Sequence, residues 1–268
     1  MQKPCDSSSI SLASCCARFK RPCPKKNPET EALFAELAQL NAQAEASEEQ
    51  LRLSIDAKAR VAVGPFSRRG QSRTREQACD HDYRPEATIT PLGILIPHSD
   101  ELALYGIEDR GSSDCIVDCL SDWWQRRRER FAHVTTLVIN LDNGPDNQSH
   151  RTQFLFRLVE FVREFGVKVV LGYYPPYHSK FNPVERCWGI LERHWNGAIL
   201  HTVASVEQWM MSMTWRGRHP EVEMVSTHYP TGRKLDAETM AVIEAQVERH
   251  ETLGRWFVTI DPKMLWEY

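Results

Sequence analysis

The chain has 268 residues, of which 41% are apolar, and a formal net charge of −3. This supports one substantial domain with extensions and excludes wholesale disorder. The near balance of charge excludes a protein that coats DNA through bulk basicity, so any nucleic-acid contact must come from local patches.

Residues 1–24 are rich in Ser, Cys and Pro without periodicity and are expected to be disordered. Residues 25–50 are expected as a helical linker. Asn27 and Pro28 suit a helix start, and Leu33, Phe34, Leu37 and Leu40 form an apolar stripe that packs on the core by default. From Leu51 the period becomes two. Leu51, Leu53, Ile55, Ala57, Ala59 and Val61 face one way, and Arg52, Ser54, Asp56, Lys58 and Arg60 the other, which predicts one long strand with a polar face. A basic loop follows at residues 67–75, then strands near Thr88–Pro97 and Leu102–Ile107. The next helix, near Ser113–Phe131, carries Trp123 and Trp124.

Thr135–Leu141, Thr152–Phe165 and Val167–Tyr173 read as strand, helix and strand. A helix of this length between apolar strands predicts a parallel pair with a right-handed crossover, so both strands end on the same side. Open α/β sheets place their sites there. A further helix starts at Pro183 and runs to about Trp195. Ser205 and Gln208 form a capping-box pattern for another, and a last helix covers about Asp236–Arg249. The order of elements fits the α/β class, with a ribonuclease-H-like mixed sheet flanked by helices over residues 51–200 and a C-terminal helical extension over 201–268.

Asp142 follows the strand Leu137–Leu141 and precedes Asn143-Gly144, where an Asp also serves as an ordinary turn residue. Glu185 sits in Asn182-Pro183-Val184-Glu185, a pattern that by itself predicts a capped helix start with Glu185 reaching back to the cap. Asp56 is one polar residue among five on its face, distinguished by its place between Ile55 and Ala57 on the longest strand. Asp80, Asp82, Asp100 and Asp114 are rival acids in loop-like settings. Taken together, Asp56 in the middle of a first strand, Asp142 on a later adjacent strand and Glu185 on a following helix can converge on one site. Three carboxylates suit hard divalent cations, with Mg²⁺ the natural ion and Mn²⁺ its substitute. Two such ions about 4 Å apart serve in-line phosphoryl transfer.

The segments Ser54-Ile55-Asp56-Ala57-Lys58-Ala59, Leu141-Asp142-Asn143-Gly144-Pro145-Asp146-Asn147 and the run from Tyr173 to Gly189 carry a resemblance. The last contains Pro-Pro-Tyr, Asn-Pro-Val-Glu-Arg and Trp188, and is the most specific of the three. Together they resemble the catalytic domain of the ISAzo-type DDE transposases, bacterial insertion-sequence enzymes distantly related to the Tc/mariner group. The resemblance runs from about Arg21 to Pro262. It implies an acidic triad at Asp56, Asp142 and Glu185, metal-dependent cutting of DNA at transposon ends, and attack on target DNA by the freed 3′-hydroxyl. Glu192, two turns beyond Glu185 on the same helix face, is a reserve acid. Relatives carry an additional amino-terminal region resembling helix-turn-helix modules. The chain lacks room for it, which leads to the expectation of an amino-terminally truncated copy.

DNA contacts are expected from Arg68, Arg69, Arg73 and Arg75 in the basic loop, and from His178 and Lys180 before the Glu185 helix, with solvated loops as the plain alternative. Asn143 is a candidate to orient Asp142 or a metal-bound water. Arg126-Arg127-Arg128 reads as an exposed helix face, and Trp123, Trp124, Trp188 and Trp195 read as core. The expected partners are transposon-end and target DNA, with a homo-oligomer assembled on them and no membrane, since no apolar run approaches the roughly 20 residues of a span. Leu12-Ala13-Ser14-Cys15 has the form of a lipoprotein cleavage box, but residues 6–11 before it are polar where a leader needs an apolar core. The eight cysteines, with no paired Cys-x-x-Cys motifs, read as free thiols in a reducing cytoplasm. A noncatalytic remnant competing with a full-length transposase, and a ribonuclease-H-like nuclease of repair or RNA processing, are the alternative functions.

Overall fold

The computed structural model describes residues 28–68, 78, 84–85, 87–108, 110–175, 178–230 and 235–265. Helix α1 (Pro28–Ala46) is followed by strand β1 (Gln50–Ala57), the strand on which the rest of the sheet is built. On one flank β1 pairs antiparallel with β3 (Ala87–Ile96), and β3 pairs antiparallel with β4 (Glu101–Ile107). On the other flank β1 runs parallel to β5 (Thr136–Leu141), which runs parallel to β6 (Lys168–Tyr173). An antiparallel meander continued by a parallel pair, in the order β4-β3-β1-β5-β6, is the ribonuclease-H-like arrangement.

Helix α2 (Ser113–Arg127) connects the two flanks, and α3 (Thr152–Phe165) makes the crossover between β5 and β6. Their apolar residues, among them Leu120, Trp123, Leu155 and Phe161, share one core with Leu53, Ile55, Leu137 and Ile139. Helix α4 (Glu185–His194) and α5 (Val203–Ser212) anchor a second core, in which Trp188, Leu191 and Met210 meet Leu95, Leu102 and Leu104. Trp123, Trp124, Trp188 and Trp195 are all buried, as expected of core residues.

The expected long strand stops at Ala57, and the chain re-enters the sheet as the short β2 (Val61–Val63) against β3. Nor does its polar side face water. Ser54 and Asp56 are buried because helices cover both sides of β1, and each polar group there has a partner. Alternation of polar and apolar residues reports period, but water is only one of the environments that satisfy a polar side chain.

The segment expected as a linker is part of the fold: Leu33 and Leu37 of α1 are buried, and Leu37 and Leu40 press on Gly172 of β6. The segment after residue 200, expected as helical, also contributes strands. β7 (Glu221–Val225) runs parallel to β4, and β9 (Phe257–Ile260) pairs with both β6 and β8 (Glu248–Arg249), so both flanks of the sheet are extended. α5 is capped by Thr202 with Ser205, one turn earlier than the Ser205–Gln208 pattern predicted, and α6 (Ala237–Ala245) starts at Asp236 as expected. Among the described residues, no helix is long and apolar enough to cross a membrane.

Candidate metal-carboxylate site

Asp56 is the last residue but one of β1, and Asp142 directly follows β5. In the parallel β1–β5 pair Ser54 lies opposite Asn140. Asp56 lies two residues beyond Ser54 in β1, and Asp142 two residues beyond Asn140, just past the end of β5. Neighbouring strands lie about 4.8 Å apart, so this pairing brings two carboxylates to one edge of the sheet. Both line an open cleft of about 530 Å³, together with Lys58, Arg60, Arg110 and Asn147.

Glu185 opens the first turn of α4, where the helix dipole favours an acid, and its charge reaches Asp56. The helix is not started by the cap that its sequence suggests. Val184 occupies the cap position without a side-chain bond, and Asn182 is spent elsewhere. Asn182 is fully buried: its Oδ1 accepts from the Ser54 hydroxyl at 2.5 Å, and its Nδ2 donates to the Ile55 carbonyl at 3.1 Å. The Val184 amide in turn donates to Ser54 Oγ at 3.0 Å. A side chain that predicts a local cap therefore fastens the start of α4 to β1, one residue from Asp56.

One turn into α4, the Trp188 indole N–H donates to Asp56 Oδ2 at 2.6 Å. The close approach depends on Gly93, which lies opposite Asp56 in β3. A Cβ at that position would stand 2.8 Å from Val184 and 2.9 Å from Trp188. The absence of a side chain at residue 93 lets the helix settle directly on the strand.

The electrostatics follow from this packing. Asp56 is 5% exposed. Its carboxyl is held well above the usual carboxylate range, chiefly by burial and next by the charge of Asp142; Glu185 adds to the effect and the Trp188 N–H opposes it. None of Asp56, Asp142 and Glu185 forms an ion pair among the described residues. A buried carboxyl whose charge is disfavoured by burial and by a neighbouring carboxylate, with no ion-pair partner among the described residues, suits a hard divalent cation. Among the described residues, no three His, Cys, Asp or Glu side chains stand close enough together to hold one ion as they are. Mg²⁺ is ordinarily bound through one or two carboxylates with water and substrate phosphate completing its shell, so a closed protein cage is not required.

Over residues 14–262 the sequence matches the family described as the Rhodopirellula transposase DDE domain. The chain belongs to this family. No curated protein matches it in sequence. Among solved structures it is similar to the Mos1 transposase paired-end complex with left transposon end, at 11% identity and a TM-score of 0.46, over 72% of this chain and 57% of that one. The same values hold for the Mos1 mariner paired-end complex with Mn. For the Mos1 strand transfer complex they are 12% identity and a TM-score of 0.41, over 72% of this chain and 56% of that one. The chain thus spans about 57% of the length of the solved transposases it resembles.

Within this transposase domain, the fold brings Asp56 and Asp142 into one cleft and sets Glu185 near enough for its charge to act on Asp56. Glu192, the reserve acid, is engaged away from them. Its carboxylate accepts from Lys58 at 2.5 Å, Arg68 at 2.6 Å and the Trp195 indole at 2.9 Å. Arg68 also lies over the Trp195 ring, so it braces the far turn of α4. Arg69, Arg73 and Arg75 lie outside the described residues, as do Asp80 and Asp82. His178 and Lys180 join an aromatic group before α4: His178 stacks on Phe181 and meets Phe34 edge-on, and Lys180 Nζ lies over Phe181. Of the arginine run, Arg126 pairs with Asp122 and Glu223, and Arg127 pairs with Glu221.

Sequence reasoning passed over Trp188 as a partner of Asp56, Ser54 and Asn182 as a clamp, and Lys58, Arg60 and Arg110 as cleft cations. The Asn-Pro-Val-Glu run contained the clue to Asn182, but its local reading was sufficient and concealed the long-range one.

Proposed function

We propose that this chain carries out metal-dependent DNA strand cleavage and strand transfer in the transposition of an insertion sequence. Asp56, Asp142 and Glu185 would hold the ions, Mg²⁺ by preference and Mn²⁺ as a substitute. The observation that supports the reading is that Asp56 and Asp142 line one cleft, while the start of α4, which carries Glu185, is fastened to β1 by the Ser54–Asn182 clamp.

Bound there, the ions would supply the positive charge that activates the attacking oxygen and stabilises the leaving one. Everything else falls to the chain. Asp142 and Asp56 would hold the ions that position the reacting phosphate, and Trp188 holds Asp56 in one orientation. Arg60 and Arg110 line the cleft and offer cations to the flanking phosphates, while Lys58 beside them is paired with Glu192. In the first step, water forms a bond to phosphorus and loses its proton. The bond from phosphorus to the 3′-oxygen breaks, leaving a 5′-phosphate and a 3′-hydroxyl. In the second, that hydroxyl loses its proton and bonds to the phosphorus of a target phosphodiester, whose bond to its own 3′-oxygen breaks, so that the displaced target strand leaves with a 3′-hydroxyl. Arg68, Arg69, Arg73, Arg75, His178 and Lys180 are proposed contacts to flanking DNA. The complex would assemble as a homo-oligomer on transposon ends, in the cytoplasm.

The test is a nicking and strand-transfer assay on duplexes carrying the terminal repeats of the encoding element, with and without Mg²⁺ or Mn²⁺. Metal-dependent nicking that is lost in Asp142→Asn supports the reading. Folded protein that nicks nothing at any metal concentration, or that cuts RNA–DNA hybrids in preference, overturns it.

A further inference from the structure

The turn after β5 folds back so that Asn147 reaches Asp142. Its Nδ2 donates to Asp142 Oδ1 at 2.9 Å. Asn147 is 6% exposed, and its Oδ1 has no hydrogen-bond partner. A carboxylate only accepts, so the amide must turn its NH₂ toward Asp142, and this orientation leaves the amide oxygen unpaired. Buried oxygens are seldom left so, and here the bond to Asp142 accounts for it.

The turn itself is pinned from several directions. The Tyr173 hydroxyl, at the end of β6, donates to the Asn147 carbonyl at 2.8 Å. Tyr173 is wholly buried, and that burial holds its phenol protonated. Ser113 donates to the Asp146 carbonyl at 2.6 Å, and the Gln148 amide to the Gly144 carbonyl at 3.0 Å. Residue 144 is tightly enclosed: a Cβ there would stand 3.1 Å from Asn147 Oδ1 and 3.2 Å from Asp142 Oδ1. Asn143, the neighbour expected to orient Asp142, makes no hydrogen bond among the described residues.

We infer that Asn147 is the positioning residue of Asp142. By engaging Oδ1, it fixes the carboxylate plane and leaves Oδ2 to face an incoming divalent cation. The inference rests on the proposed role of Asp142 and deepens it. Groups that orient a metal-holding side chain typically change affinity by 10–100-fold when removed.

The experiment measures Mn²⁺ binding to the full chain without DNA, by electron paramagnetic resonance. Wild type is compared with Asn147→Ala, the near-isosteric Asn147→Leu, Asn147→Ser and Asp142→Asn, and thermal unfolding is followed without metal. The Ala and Leu variants are expected to bind Mn²⁺ roughly 10–100-fold more weakly, with Ser, which keeps a donor, falling between them and wild type. In cleavage, the half-saturating metal concentration should rise by the same factor while the plateau rate recovers. Leu fills the buried site if Ala unfolds, so a folded variant remains to decide the matter. If Asp142→Asn loses Mn²⁺ but the Asn147 variants bind it as wild type does, the positioning role is wrong and the site stands. If Asp142→Asn binds and cleaves normally, the site itself is wrong.

Discussion

Asp56, next to last in β1, and Asp142, just past the end of the parallel β5, line one cleft, yet only Asp56 is sealed from water by a tryptophan that donates to it. Two acids of one cleft therefore have unequal environments. The buried one bears the cost of charge, and the half-exposed one is left to meet the cleft.

This asymmetry makes Asp56 a liability to stability at neutral pH. Its folded proton affinity is raised from an ordinary value of 3.8, so the stability it contributes is present below that pH and is lost as pH rises through the higher folded value. Asp56→Asn keeps an acceptor for Trp188 and removes the buried charge. We predict a metal-free Tm at pH 7 higher than wild type by roughly 2–6 °C, with the difference vanishing below about pH 4. Nicking should be abolished in the same variant. Mg²⁺ should raise the Tm of wild type and leave that of Asp56→Asn unchanged. Calorimetry across pH checks both signs, and a destabilised variant at pH 7 would contradict the account.

The Ser54–Asn182 clamp predicts a coupled loss. Ser54→Ala strands the buried Asn182 oxygen and the Val184 amide, which should cost about 1–3 kcal/mol in denaturant unfolding. Asn182→Ala should cost a similar amount, and the double variant much less than the sum, because both remove one network. Simple additivity would show that the two residues act separately.

Gly93→Ala tests the contact between helix and strand. The added methyl meets Val184 and Trp188, and overpacking of this kind costs about 1–3 kcal/mol. Relief requires α4 to lift, which carries Glu185 away from Asp56. We therefore expect cleavage to fall by about 10²-fold, in keeping with the sensitivity of catalysis to displacements near 1 Å. Activity surviving alongside lost stability would place the strain elsewhere.

Glu192→Gln separates the two glutamates of α4. Burial disfavours the charge of Glu192, but Lys58, Trp195 and Arg68 outweigh it and hold its carboxyl below the usual range. A group so engaged supports its neighbours. The variant should keep cleavage within about tenfold of wild type, whereas Glu185→Gln should lose at least 10²–10³-fold, as expected when transition-state charge loses its stabilisation. Equal losses measured in parallel kinetics would restore Glu192 as a third acid.

The sequence alone determined which segments are strands and helices around Asp142, since the apolar runs of β5 and β6 and the crossover between them are local patterns with a fixed handedness. It also determined the family, through motifs that no single structural role explains. Only the tertiary structure decided what the polar side of β1 is for, that Asn182 is a clamp, that Trp188 holds Asp56, and that Asn147 is the neighbour bonded to Asp142. Each of these is a bond between a side chain and a group that periodicity cannot see. The partner of Asn182 lies 128 positions away and that of Trp188 132, and a pattern read over one or two turns carries no information at that range.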